Sequence, residues 1–356
     1  MSNQPEEHER LLGENRSPQR IDNQQRRNNI SSSTQNDIDD TFSSIITGIL
    51  TFTLFVTLIG FLTGAWFVQQ QSHRPYIVTL LLLSIVPSIF ILYFAYYWRN
   101  KASAPVPLII GCYLIGIFMA LPVALVESIV TESLFPERPK GSVAPALTTR
   151  ETSKIVFSVF CTAFFCVALI EEGAKFLYTW YRKTTSDEFL TSYGIVIVAL
   201  TCSLGFASLE NAAYIFHPSS RLSDAFETAL ARAIMSVPLH ACCGALIGIG
   251  FARRRLNERN PNKKVGFVGF ILFWPVVIHG LYDVVLMIPD ALKHIPAHDH
   301  NVLERVGMFV SSVCVVLGCY LAMTFGRNLV KETEGEVARQ VKWPSGEALE
   351  QASGCA

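Results

Sequence analysis

Long apolar runs alternate with short polar connections over most of the 356-residue chain. Each of eight runs is long enough to cross a hydrocarbon core of ~30 Å as an α-helix, which requires about 20 residues. The predicted spans are residues 43–68, 76–98, 106–130, 154–181, 189–216, 225–252, 265–288 and 303–325. The pattern therefore predicts an all-α fold, a polytopic transmembrane bundle of about eight helices.

Polar segments flank the predicted bundle and set its limits. Residues 1–41 are rich in Gln, Asn, Ser and Arg, so they bury too little apolar surface to fold alone and are predicted to form a disordered cytoplasmic tail. The transmembrane domain is predicted at residues 42–330, and a polar C-terminal tail at residues 331–356. The first forty residues lack the apolar run of a cleavable signal peptide.

Composition supports a membrane protein and sets its orientation. Half of the residues are hydrophobic and only 16% are charged. The counts of basic and acidic residues are equal, at 29 each, which gives no indication of a nucleic-acid partner. Basic residues are concentrated in alternate connections, above all in Arg253–Arg255, and such residues favour the cytoplasmic side. Both termini are therefore predicted to be cytoplasmic.

A short motif in the N-terminal tail resembles an acidic dileucine sorting signal. In "EHERLLG", Glu7 precedes Leu11 and Leu12 at the spacing that clathrin adaptors bind. The motif predicts a eukaryotic protein of endosomal, lysosomal or vacuolar membranes, with clathrin adaptors as partners. A chance match in a polar tail is the alternative.

Ionisable residues interrupt the apolar runs in one half of the predicted bundle. A charge at mid-bilayer costs on the order of 3 kcal/mol, so such residues normally face a protein interior or a wet cavity. They lie on four consecutive predicted helices and are Glu171, Glu172, Lys175, Glu210, Arg232, His240, His279 and Asp283. This clustering predicts one enclosed site.

Spacing along each helix indicates how these groups are paired. Lys175 follows Glu171 by four residues and shares its helix face, whereas Glu172 lies about 100° round the helix. At least one carboxylate is therefore expected to point away from the lysine. Asp283 stands one turn after His279, where it orients the imidazole. A structural ion pair is the alternative explanation for Glu171 and Lys175.

Two features of the predicted helices bear on whether these groups can meet. Pro238 removes a backbone donor and is expected to kink its helix just before His240. Gly244 and Gly248 are expected to allow a neighbouring helix to approach closely. Straight helices would nevertheless place Glu210 and Asp283 roughly 15 Å from the level of Glu171.

Four polar motifs, taken in order, resemble those of the PrsW family of intramembrane proteases, which is related to the CAAX prenyl protease (Abi) group. They are "EEGAK", "FASLEN", "RAIMSVPLH" and "HGLYD", all within residues 154–288. The matching positions are Glu171, Glu172, Lys175, Phe206, Glu210, Asn211, Arg232, His240, His279 and Asp283.

The resemblance implies an endopeptidase that hydrolyses a peptide bond of membrane-anchored proteins within or beside the lipid. Glu171 or Glu172 would deprotonate the attacking water, because a buried carboxylate can act as a general base. Asn211 and His240 would donate to the oxyanion, while Asp283 holds His279. A metal-dependent version is equally compatible, in which Glu210, His240 and His279 bind zinc.

Two other classes of function remain open from the sequence. One is a non-catalytic scaffold that resembles the Aph subunit of gamma-secretase, in which buried polar groups serve assembly. The other is a proton-coupled transporter with Glu and His relays, although the hydropathy pattern shows no inverted repeat. The complete Glu171 and Glu172 pair favours the enzyme.

Overall fold

The computed structural model describes residues 73–99, 104–134, 149–185, 191–215, 222–258, 267, 269–292 and 300–340. Within them the chain forms nine α-helices and one π-helical segment. The elements are α1 (His73–Arg99), α2 (Val106–Leu134), α3 (Thr149–Cys161), π1 (Thr162–Ala168), α4 (Leu169–Thr185), α5 (Ser192–Ile215), α6 (Leu222–Ile234), α7 (Ser236–Glu258), α8 (Phe270–Leu292) and α9 (His300–Gln340).

Seven helical stretches among the described residues are long and apolar enough to cross a membrane. The prediction of an all-α transmembrane bundle is therefore confirmed. The predicted first span, residues 43–68, and the tail at residues 1–41 lie outside the described residues. At the other end, α9 continues to Gln340, beyond the predicted start of the C-terminal tail at 331.

The helices α5 and α7 form the centre of the bundle. The apolar windows of α5 and of the α6 and α7 stretch are both 78% buried, whereas the other five windows are 22–39% buried. The outer helices present large apolar side chains such as Phe118, Phe157 and Phe309 outward. An apolar exterior around a buried polar centre is the arrangement expected in lipid.

Small residues bring the central helices close together. A Cβ at Gly244 would lie 2.9 Å from the carbonyl oxygen of Ala199, and one at Gly248 would lie 2.6 Å from Val196 Cα. Both distances are too short for real contacts, so the glycines are required where α7 crosses α5. The predicted packing role of Gly244 and Gly248 is confirmed.

The predicted kink near His240 lies at Met235, where α6 ends and α7 begins. Pro238 has no backbone N–H, so the carbonyl of Ile234 loses its helical donor. Helical bonding resumes at once, because Leu239 N donates to Met235 O at 3.1 Å. The break separates Arg232 on α6 from His240 on α7.

Candidate active site

The two adjacent glutamates begin α4 immediately after a π-helical segment. π1 comprises Thr162–Ala168, and Glu171 and Glu172 lie in the first turn of α4. A π-helical turn is wider than an α-helical one, so it shifts the faces of the residues that follow, and such turns are frequent at functional sites. Nothing in the apolar sequence of this segment predicted it.

Lys175 holds both glutamates at the centre of the bundle. Its Nζ donates to Glu172 Oε1 at 2.7 Å and to Glu171 Oε2 at 3.2 Å. All three residues are 2% exposed or less. The expectation that one carboxylate points away from Lys175 is therefore wrong, because the long lysine side chain reaches the residues three and four positions before it. Its ammonium also lies 4.4 Å from the centroid of the Phe206 ring.

The two buried histidines converge on Glu171. His240 Nε2 lies 2.7 Å from Glu210 Oε2, and His279 Nδ1 lies 2.7 Å from Glu172 Oε1. The second nitrogen of each ring faces Glu171 Oε2, at 4.0 Å for His240 Nδ1 and 3.8 Å for His279 Nε2. The ring planes are nearly perpendicular, with centroids 5.0 Å apart. Each imidazole is thus held by one carboxylate while its other nitrogen faces a shared centre.

Two further contacts fix nitrogen atoms of these rings. Lys175 Nζ lies 2.8 Å from His240 Nδ1, so the ammonium contacts His240 as well as Glu171 and Glu172. Asp283 Oδ2 lies 3.4 Å from His279 Nε2, one helical turn away on α8. The predicted proximity of Asp283 and His279 is observed, but Glu172 is the closer carboxylate.

Arg232 supports the cluster from α6. Its guanidinium donates to Glu210 Oε1, to Asn211 Oδ1 at 2.8 Å and to Ser236 Oγ at 3.2 Å. The same group stacks over the Tyr214 ring, 3.9 Å from the centroid. Glu210 therefore connects Arg232 to His240, and the break at Met235 lets both residues face α5.

These contacts bring every motif residue into one network, although straight helices predicted levels roughly 15 Å apart. The stretch that carries Glu171 spans 32 residues, Thr152–Lys183. A helix of that length measures about 48 Å and exceeds the ~30 Å hydrocarbon core. Counting inward from predicted ends therefore misplaced Glu171 relative to Glu210 and Asp283.

A cavity of about 550 Å³ reaches the cluster from one end of the bundle. Glu171, Phe206, Glu210 and Tyr214 line it, whereas Glu172, His240 and His279 do not. The other lining residues are Ala120, Leu121, Ala124, Glu127, Ser128, Thr162, Val167, Leu209, Ala212, Ala213 and Met287. Of Glu171, Glu172, His240 and His279, Glu171 is therefore the one that a bound molecule would meet. Glu127 also lines the cavity, and its only signal in the sequence is a carboxylate within an apolar run.

Comparison with known proteins identifies the family of the chain. Residues 104–319 match the family model described as PrsW family intramembrane metalloprotease. The chain belongs to the PrsW family. The matched segment contains all four motifs, so the resemblance deduced from them is confirmed, and the chain is an enzyme of a family of intramembrane metalloproteases.

Curated PrsW relatives are bacterial. Protease PrsW of Oceanobacillus iheyensis is 26% identical over 211 residues, which cover 59% of this chain and 83% of the relative. Protease PrsW of Halalkalibacterium halodurans is 28% identical, with 59% and 84% covered. That of Bacillus subtilis is 22% identical over 202 residues, with 57% and 80% covered. No solved structure matches the chain significantly.

Bacterial relatives give no support to the predicted endosomal or lysosomal location, or to clathrin adaptors as partners. The motif residues Glu7, Leu11 and Leu12 lie outside the described part of the chain. The seven apolar helical stretches show that the chain is a multi-pass membrane protein.

The PrsW description implies a metal ion, and the buried cluster has suitable donors. Glu171, Glu172, His240 and His279 each offer one ligand atom, and these atoms lie within 4.8 Å of one another. Mixed carboxylate and imidazole sets are typical of catalytic zinc. Glu172 Oε2 is buried and has no hydrogen-bond partner among the described residues, as expected of a carboxylate with a free ligand position.

Glu210 stands apart from the four-residue group that the structure assembles. The sequence-based set was Glu210, His240 and His279, and its two histidines belong to the group. Glu210 instead contacts Arg232 and the ring nitrogen of His240 that points away from Glu171. This is the position of a carboxylate that orients a ligand histidine.

Proposed function

We propose that this chain is an intramembrane endopeptidase that hydrolyses a peptide bond of membrane-anchored proteins, with Glu171 as the general base. One observation carries the proposal: of Glu171, Glu172, His240 and His279, which can hold a metal ion, only Glu171 lines the 550 Å³ cavity. A scissile carbonyl bound there would have the attacking water between itself and the Glu171 carboxylate. That carboxylate accepts the proton of the water and later delivers it to the leaving amine.

Glu172, His240 and His279 are proposed to hold the metal ion. They are the cluster members behind the cavity wall, and Glu172 has an unpaired oxygen. When bound, a divalent cation supplies Lewis-acid polarisation of the scissile carbonyl. Lys175 Nζ contacts Glu171, Glu172 and His240, so its ammonium occupies part of the space that a cation on these residues would take.

Glu210, Asp283 and Arg232 are proposed to position the imidazoles. Glu210 lies against His240, and Asp283 against His279. Arg232 fixes Glu210 and uses the oxygen of Asn211, whose Nδ2 has no hydrogen-bond partner among the described residues. Asn211 does not line the cavity, so we propose that it supports Arg232 rather than donating to the oxyanion.

The cavity is proposed to open on the non-cytoplasmic side. Its lining residues come from the C-terminal halves of α2, α5 and α8, from π1 and from the first turn of α4. The basic residues Arg99, Arg182 and Arg253–Arg255 lie at the opposite end of the bundle, where α1, α4 and α7 end. Because such residues favour the cytoplasm, substrates would be cut near the other membrane boundary.

A reporter assay tests the role of Glu171. The full-length protein is co-expressed with a pool of single-pass reporters that carry membrane-proximal segments of host proteins, and release of the soluble domain is measured. We expect Glu171→Gln to abolish release at equal protein levels, and Glu304→Gln, an exposed acidic position outside the cavity, to retain it. Wild-type release by Glu171→Gln would overturn the proposal.

Elemental analysis of purified protein separates the base from the metal ligands. We expect Glu171→Gln to retain bound metal, and His240→Ala, His279→Ala and Glu172→Gln to lose it. Loss of metal from Glu171→Gln alone would show that its carboxylate is a ligand instead.

A further inference from the structure

The cavity next to Glu171 contains a carboxylate that the proposed chemistry does not use. Glu127 lies on α2 and lines the cavity together with Glu171 and Glu210. Its Oε1 is buried and has no hydrogen-bond partner among the described residues. Glu171 and Glu210 are paired there with Lys175 and Arg232, but no ion pair among the described residues involves Glu127.

Glu127 is the acid group of the cavity that has no cation beside it among the described residues. Lys175 pairs with Glu171 and Arg232 pairs with Glu210, so both cations are already engaged. An ionised carboxylate that is buried without a partner is costly, so Glu127 is favoured to ionise when a ligand brings a positive charge beside it.

The walls of the cavity define the shape of that ligand. Most of the lining is apolar and much of it is small, as at Ala120, Ala124, Ala212 and Ala213. An alkyl chain fits such walls, while its polar end reaches the carboxylate. The exposed Lys154 lines an adjoining cavity of about 370 Å³, which shares Thr162 and Met287 with the first, and Lys154 is not among the residues that line the cavity with Glu127.

We propose that Glu127 is a specificity-determining residue that binds a lysine or arginine side chain of the substrate at one fixed position from the cleaved bond. The proposal rests on the proposed function, because Glu171 at the same cavity is taken as the base. The alkyl stem of the substrate residue lies along the alanine-lined wall, and its ammonium or guanidinium pairs with Glu127. Selectivity therefore falls on single-pass proteins with a basic residue near the membrane boundary.

A binding assay tests the proposal independently of hydrolysis. The full-length protein with Glu171→Gln is placed in lipid nanodiscs, and energy transfer reports its affinity for single-pass peptides. In each probe pair, lysine or its uncharged isostere norleucine occupies one of eight successive boundary positions. At one position we expect lysine to bind about ten-fold more tightly, as one charge-assisted hydrogen bond would give.

Variants on both partners complete the test. Adding Glu127→Gln should abolish the preference, so that the lysine and norleucine peptides bind with about equal affinity. Glu127→Lys should instead favour a peptide with glutamate at that position. The control Glu304→Gln should keep the preference. Equal affinity for lysine and norleucine at all eight positions, or a preference that persists in Glu127→Gln, would overturn the proposal. Failure of the reporter cleavage with this preference intact would refute only the proposed hydrolysis.

Discussion

Lys175 is the cation shared by two carboxylates in the bundle centre, so its removal should lower the free energy of unfolding. It is 1% exposed, and its ammonium lies 2.7 Å from Glu172 Oε1 and 3.2 Å from Glu171 Oε2. Lys175→Met keeps the length of the side chain but leaves two carboxylates in the bundle centre without this cation. Removing one partner of a buried ion pair costs about 3–5 kcal/mol, so the folding equilibrium constant should fall about 100- to 5,000-fold.

The assay is reversible unfolding of the purified protein in mixed micelles or by steric trapping in bicelles. Lys183→Met on the same helix is the matched control, because Lys183 pairs at 2.8 Å with Glu258, whose side chain is 38% exposed. That variant should lose less, because Glu258 is partly exposed to solvent and keeps its pair with Arg254 Nε at 2.8 Å. Combining Lys175→Met with Glu172→Gln should cost less than the sum of the single changes, since it removes one of the two unpaired charges. A loss from Lys175→Met no larger than that from Lys183→Met would refute the reasoning.

Three further predictions follow from individual contacts. Gly116→Ala should destabilise the protein by about 1–3 kcal/mol, because the added Cβ would collide with the backbone of α5. The control Gly111→Ala on the same helix should leave stability unchanged, because a Cβ there meets no atom within 4 Å. Equal unfolding midpoints for the two variants would contradict the prediction. Glu210→Gln should lower metal affinity or reporter cleavage about 10- to 100-fold, and no effect on either would remove its positioning role. Cys242 and Cys319, with sulfur atoms 3.2 Å apart, should form an oxidative cross-link between α7 and α9 in a variant without other cysteines, detected by mass spectrometry.

Much of the site was predictable because its parts obey local rules. Residues four apart on a helix share a face, and this spacing correctly paired Glu171 with Lys175 and placed Asp283 beside His279. Phe206, Glu210 and Tyr214 stand four residues apart on α5 and so share a helix face, and all three line the cavity. Hydropathy identified the spans, since a chain in lipid must satisfy its backbone hydrogen bonds within helices.

The partners across helices could not be predicted in the same way. His240 contacts Glu210 from another helix, and His279 contacts Glu172, 107 positions away along the chain. Such pairs depend on the depth and rotation of each helix, which are set by close contacts such as those at Gly244 and Gly248. Sequence spacing carries no information on either quantity.

The sequence by itself determined that the chain is helical and spans membranes, and which residues carry charge into the apolar interior. These properties depend only on residue type and helical period, which are local. The tertiary structure alone decided that Glu171 faces the cavity while Glu172 lies behind it, and that Glu127 joins the same wall. Adjacent residues on one helix differ by about 100° in direction, so only the packing of neighbouring helices determines which of them meets a substrate.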